Sequence, residues 1–212
     1  MVLKLDMEKA YDKVDRSLLH FILLHINILL NVSKWIMSCV NSTSFAVLIN
    51  GSPSIFFKGT KGLRQGCPLS PYLFLLIIEG LSLKLRKAKE DKQISGVKVF
   101  GSIFISHTLF VDDAIIFGRG IYAEWIIIKG IIDVFCNASG MSFSTTKSCF
   151  SHFGVEEGVI HLIEDLFLVN SRALEEGFTY LGFFLKPNAY IHSDWDCLTH
   201  KVHYQISKWS TN

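Results

Sequence analysis

Three observations along the 212-residue chain predict an α+β fold. Short runs of strict apolar–polar alternation, such as Val2 to Met7, mark half-buried strands. Stretches with apolar residues three and four apart, such as Ala10, Val14, Leu18, Leu19 and Ile22, mark helices. Two adjacent carboxylates, Asp112 and Asp113, sit between apolar runs, which reads as strand, tight turn, strand.

Half of the residues are hydrophobic and 19% are charged, which excludes a disordered chain. The net charge of +2 announces no polyanion partner, so any such binding has to come from local basic patches. The five cysteines (Cys39, Cys67, Cys136, Cys149, Cys197) are odd in number and contain no Cys-x-x-Cys, which predicts free thiols in a reducing intracellular compartment. No secretory leader is read ahead of Asp6. The most apolar window, Leu18 to Leu30, is interrupted by His20, His25 and Asn27 and is too short for a bilayer, so no membrane partner is expected.

In chain order, Val2, Lys4 and Asp6 share one face of the first strand, and Leu3, Leu5 and Met7 the other. From Glu8 one helix is expected to bend or end near Asn31, with Lys9, Asp12, Lys13 and Arg16 largely off its apolar stripe. A second runs from about Ser33, its N-cap, to Val40. Ser44 to Ile49, the Asn50-Gly51 turn and Ile55 to Phe57 form a hairpin. Two glycines and two prolines keep Lys61 to Pro71 irregular. Ser70 as cap and Pro71 at the first helical position start a helix to about Lys89, whose first half is apolar all round and so expected in the core.

Strands over Gly96 to Phe100 and Ile103 to Phe110 precede the acidic turn. A helix from about Ala123 to Cys136 ends in a glycine cap at Gly140. Ser142 to Cys149 is read as extended, and Phe178 to Leu185 as a strand broken by Gly182. The last helix, about Ser193 to Trp209, carries a Trp195, Leu198, Val202, Ile206 stripe predicted as core contact. His192, Cys197, His200 and His203 can be drawn as a zinc site, but nothing else completes its shell.

The acidic pair is the chemical focus. Two carboxylates about 4 Å apart repel by roughly 4 kcal/mol at an effective dielectric near 20, a cost that a bound divalent cation removes. Oxygen-only ligands of this kind suit Mg²⁺. Read alone, the pair is a polar turn first and a metal site second.

Its company changes that reading. The runs Lys4-Leu5-Asp6-Met7-Glu8-Lys9-Ala10-Tyr11-Asp12-Lys13-Val14-Asp15, Gly62 to Phe74 (GLRQGCPLSPYLF), Phe110-Val111-Asp112-Asp113, Ser139-Gly140 through Lys147-Ser148, and Tyr180-Leu181-Gly182 follow one another in a telling order. In order and spacing they resemble the palm motifs of reverse transcriptases, most closely those of plant non-LTR retrotransposons of the long interspersed type. The resemblance implies a polymerase palm over residues 1–185, with a small antiparallel sheet flanked by helices, and the start of a helical thumb over 186–212. It implies an RNA-directed DNA polymerase with Asp6, Asp112 and Asp113 as catalytic residues, Asp6 and Asp112 holding Mg²⁺ or its substitute Mn²⁺. Tyr11, Arg64, Gln65, Gly66 and Lys147 would bind nucleotide and template, and Tyr180, Leu181 and Gly182 would position the primer. The implied partners are an RNA template, a DNA primer and deoxynucleoside triphosphates. From the residues alone, Tyr11 is also a packed aromatic and Lys147 an exposed lysine.

There are departures from the pattern. The family carries fingers ahead of the residue matching Asp6, and an endonuclease, RNase H or zinc knuckle elsewhere; here they are expected to be missing, with the apolar face they cover exposed and solubility poor. Val111 stands where Ala is usual, Arg16 where an aromatic is common, and no glycine breaks the chain near residue 27. The alternative expectation is a decayed, non-catalytic remnant that acts at most as a nucleic-acid-binding module. An intron maturase palm is a third reading, disfavoured by the Gly-Leu-Arg-Gln-Gly-Cys-Pro-Leu-Ser-Pro run together with Tyr180-Leu181-Gly182.

Overall fold

A computed structural model describes residues 1–210. The chain opens in β1 (Val2–Asp6). Lys9 then turns left-handed, and α1 (Ala10–Lys13) lasts a single turn before Val14 extends. Asp15 caps α2 (Arg16–His25), its Oδ1 accepting from the Ser17 and Leu18 amides at 2.7 and 2.9 Å. The stripe read as one helix is therefore two, because the cap carboxylate satisfies amides that a continuous helix would bond to its own carbonyls. After α2, Asn27 takes φ 61°, so an asparagine supplies the left-handed break for which a glycine was expected. α3 (Leu30–Asn41) starts three residues before Ser33, which is buried inside the helix rather than capping it.

The hairpin that follows is two short ladders. β2 (Ser44–Phe45) and β3 (Leu48–Ile49) pair with β5 (Phe57–Lys58) and β4 (Ser52–Pro53) respectively. Asn50 and Gly51, at φ 50° and 83°, close it as expected. α4 (Ser70–Glu90) has Leu69 rather than Ser70 at its cap, with Pro71 in the first turn. It buries Leu73, Phe74, Ile77, Ile78, Leu81 and Leu85 on one side, where α2, α5 and β8 pack. Tyr72 and Leu75 are exposed, so its first half is not enclosed all round.

β6 (Val97–Phe100) and β7 (Ile103–Ile105) form a separate hairpin. β8 (His107–Phe110) and β9 (Asp113–Phe117) form the acidic one. α5 (Tyr122–Ser139) ends on Gly140 at φ 72°, the expected cap. Within Ser142 to Cys149 the backbone turns at residues 145–147, and extension resumes only in β10 (Cys149–His152). α6 (Glu157–Phe167) and β11 (Ser171–Ala173) were not read from the sequence. β12 (Phe178–Tyr180) and β13 (Phe183–Leu185) are the arms of a hairpin rather than one broken strand, because Leu181 and Gly182, at φ 49° and 82°, reverse the chain. α7 (Asp196–Ser210) packs chiefly on the turn before it, which leaves Trp195, Val202 and Ile206 exposed instead of in the core. No helix among the described residues is long and apolar enough to cross a membrane.

The central sheet has the order β11-β10-β1-β9-β8. It is antiparallel except for the β10–β11 edge, which is parallel and reached through α6. Strand periodicity gives it two different faces. Leu3, Leu5, Ala114, Ile116 and Phe150 point into the main core with Trp125, Ile128 and Phe74. Val2, Ile115 and Cys149 point the other way and pack against Phe178, with Tyr180 and Leu185 around it. The helices thus cover one face, and the small β12–β13 hairpin covers part of the other.

Candidate active site

Asp6 lies on the second face, because it shares the parity of Val2 and Lys4. Its cross-strand partner is Asp113. Directly opposed residues in an antiparallel pair project to the same side, so both acids point away from the helical core. A slip of one residue would turn both into it. Asp112 is in the β8–β9 turn, where Val111 has φ 53°. A β-branched residue in that region costs of order 1–3 kcal/mol. The turn is fastened to the end of β1 by Met7 N–H donating to the Asp112 carbonyl oxygen at 2.9 Å.

The stretch Asp6 to Asp15 is bonded on two further sides. Ser148 Oγ accepts from Asp6 N–H at 3.1 Å, Ser144 N–H donates to Asp6 O at 2.8 Å, and Asp15 N–H donates to Ser139 O at 2.7 Å. On the opposite side, Gly62 N–H donates to Val14 O and Leu63 N–H to Tyr11 O, both at 2.7 Å. A Cβ on Gly62 would lie 2.6 Å from Asp12 O, so only glycine permits this approach. Arg16 ties the same loop down, donating from Nε to Gly62 O at 3.0 Å and from Nη1 to Gly59 O at 2.5 Å.

Charge gathers at the acids. Lys147 Nζ lies 3.7 Å from Asp6 Oδ1. Burial pushes the Asp113 carboxyl above its ordinary range; Lys4 opposes that, Asp112 and Asp6 reinforce it, and Lys147 opposes it again. The Tyr11 phenol is raised by burial and then by the Asp112 charge. That of Tyr180 is raised by burial, lowered by a hydrogen bond with Thr108, and raised by Asp113.

The structure therefore brings Asp6, Asp112, Asp113, Lys147, Tyr11 and Tyr180 into one neighbourhood. Leu181, exposed, and Gly182, half-buried, form the turn of the hairpin carrying Tyr180. Arg64, Gln65 and Gly66 are exposed a short way off. Gln65 Nε2 donates to Asp12 Oδ1 at 3.3 Å, and an open cleft there is lined by Asp12, Arg16, Lys61, Arg64 and Gln65. Asp6 and Asp113 are two carboxylates opposed on one face, and among the described residues no three His, Cys, Asp or Glu side chains are gathered to hold a metal ion. Sequence reading missed three supporting residues: Lys4, whose shared parity with Asp6 was its signal, and Ser148 and Arg16, whose partners are distant in sequence and gave none.

Residues 1–185 match the model of a family described as reverse transcriptase (RNA-dependent DNA polymerase). The chain belongs to the reverse transcriptase family. Curated relatives match shorter stretches of the chain. An uncharacterized mitochondrial protein of Arabidopsis thaliana is 48% identical over 67 residues, 31% of this chain and 55% of that protein. The uncharacterized 149 kDa protein of transposon TX1 from Xenopus laevis is 36% identical over 85 residues, 40% of this chain and 6% of that protein. The chain thus spans about half the length of one curated relative and a small part of the other. The transposon relative is consistent with the retrotransposon type read from the motifs. Among solved structures, telomerase from Candida albicans in complex with the TWJ fragment of telomeric RNA matches 87% of this chain and 30% of its own, with TM-score 0.59 and 14% identity. Apo telomerase from Candida tropicalis, truncated from its C-terminal domain, matches 66% and 28%, with TM-score 0.50 and 17% identity. These likenesses show the fold, that of the polymerase palm.

Proposed function

We propose that the chain is the working palm of an RNA-directed DNA polymerase of retrotransposon type, with the palm over residues 1–185 and the start of a thumb over 186–212. It would extend a DNA primer on an RNA template with deoxynucleoside triphosphates. The observation that carries this is the in-register pairing of Asp6 with Asp113 on the face away from the core, with Asp112 in the adjoining turn. Three acids there, one raised by burial and by its neighbours, form a charge cluster that suits a divalent cation. Among the described residues no three His, Cys, Asp or Glu side chains converge as a ready-made metal group. Mg²⁺ needs none, since it takes one or two carboxylates and completes its shell with water and phosphate oxygens. Asp6 and Asp112 would hold Mg²⁺ or Mn²⁺, with Asp113 beside them, and the ion supplies positive charge at phosphate and hydroxyl oxygens.

The chain's own side chains do the rest. The Tyr11 ring offers a flat wall beside Asp112, against which a deoxyribose packs and a 2′-hydroxyl is excluded by bulk. Arg64, Gln65 and the Gly66 backbone turn donors towards nucleotide and template. The Lys147 ammonium, resting on Asp6, is placed to meet a triphosphate and to give it charge or a proton. Tyr180, Leu181 and Gly182 hold the primer end. The five free thiols suit a reducing intracellular compartment.

Primer extension on an RNA template with Mg²⁺ and deoxynucleotides, beside Asp112→Asn, tests the proposal. Extension by the native chain and none by the variant is the expected result. No extension by either returns the remnant reading, a fold that binds nucleic acid without copying it.

A further inference from the structure

The β12–β13 hairpin is attached to the sheet at three places. Phe178 is buried against Val2, Ile115 and Cys149. The Tyr180 phenol stands beside Thr108 of β8, near enough for the two side chains to interact. Lys4 Nζ donates to the carbonyl oxygen of Thr179 at 3.0 Å. The first attachment is apolar and undirected, and the second reaches a different strand. Only the third is a directed bond to the strand that carries Asp6, and it leaves that strand two residues away on the same face.

The hairpin's register explains why this carbonyl is available. Tyr180 opposes Phe183 across a two-residue turn, so those two residues exchange both ladder bonds. Hydrogen-bonded and non-bonded pairs alternate, which puts Thr179, opposite Phe184, in a non-bonded pair with its carbonyl directed away from β13. A long, flexible side chain ending in a compact donor reaches it from β1. Lys147 sits on Asp6, whereas the Lys4 ammonium is engaged by the hairpin.

We infer that Lys4 is a positioning residue that fixes the Tyr180-Leu181-Gly182 turn at a set distance from Asp6. This rests on the reading that the turn holds the primer end. Lys4 then acts through Thr179 on where the primer 3′-hydroxyl stands, without touching substrate.

The test is hydrogen exchange by mass spectrometry on the full chain, comparing native protein, Lys4→Met, which keeps the stem and loses the donor, and Lys4→Arg, which keeps a cationic donor. Lys4→Met should exchange roughly tenfold faster across residues 178–185, with residues 107–117 unchanged and Lys4→Arg close to native. Native-like exchange in Lys4→Met, or equal loosening in both variants, overturns the tether. A counter-charge role for Lys4 towards Asp113 would leave the hairpin's exchange unmoved. In primer extension, kcat should fall roughly tenfold in Lys4→Met, with KM for the primer–template duplex within about a factor of two and recovery in Lys4→Arg. A rise in KM with kcat unchanged overturns the positioning role. Failure of the native chain to extend overturns the polymerase reading instead, and exchange at 178–185 still decides the tether.

Discussion

Tyr11 stacks on Phe74, with ring centroids 4.7 Å apart and planes 14° from parallel. Tyr11 belongs to the stretch after Asp6, while Phe74 is fully buried in α4. The wall proposed to exclude a 2′-hydroxyl is thus set by a core residue that never meets the substrate. Phe74→Leu keeps an apolar side chain and removes the ring, at a cost of about 1–2 kcal/mol in stability. It should also let ribonucleotides compete better with deoxynucleotides. Urea unfolding and paired incorporation assays read the two effects; unchanged discrimination in a folded variant would sever Phe74 from selectivity.

The loop ahead of α4 depends on close backbone approach. Gly62→Ala puts a Cβ 2.6 Å from Asp12 O at φ 84°, and should destabilise by about 2 kcal/mol. Arg16→Lys should cost about 1–2 kcal/mol despite keeping the charge, because an ammonium cannot span both Gly59 O and Gly62 O as the fork does. Chemical denaturation measures both; a neutral Arg16→Lys would show that the fork geometry is dispensable.

His107 should make stability fall in mild acid. Its Nδ1 and Nε2 lie 3.0 Å from the Ser106 and Ser82 hydroxyls, and burial, followed by the Arg86 charge, pulls its pKa below the ordinary value. The fold therefore favours the neutral ring, and below about pH 6.5 the unfolded chain binds more protons than the native one. Stability is unaffected above that pH, drops as pH falls through the ordinary value, and levels off below the depressed one. His107→Gln should flatten the drop in urea midpoint between pH 7.5 and 5.5, and an equally steep drop in the variant would assign it elsewhere.

A cation held only by the folded carboxylates must stabilise the fold. At one hundred times its dissociation constant the gain is about 2.7 kcal/mol. Mg²⁺ should raise the unfolding midpoint of the native chain and leave an Asp6→Asn, Asp112→Asn double variant unmoved. Equal shifts in both proteins would mean that the ion acts somewhere else.

Sequence reading succeeded where the cause was local. The Asn50-Gly51 turn and the Gly140 cap follow from conformations that only a few residue types adopt, and the acidic hairpin from a polar pair between two apolar runs. It failed where the cause was an alternative local bond or a distant partner. Asp15 split a continuous apolar stripe by capping, although an Asp three residues before a Leu-Leu pair was a visible signal. α6 carried a readable Ile160, Ile163, Phe167 period, but β11 is short, has no alternation, and exists through its parallel pairing with β10. The Trp195 stripe was a correct helical pattern with a wrong inference of burial, since periodicity states which side is apolar and not what covers it. At the site, the acids were legible from their motifs, while Lys4, Arg16 and Ser148 act through partners 142 to 175 residues away or in a separate loop.

The two-faced sheet separates what keeps this protein folded from what would let it work. Leu3, Leu5, Ala114 and Ile116 answer to one side of a wall a single strand thick, and Asp6 and Asp113 to the other. Mutational drift can therefore silence the acids one at a time with little penalty to shape. A lineage freed from selection for copying should lose its chemistry first and its architecture much later.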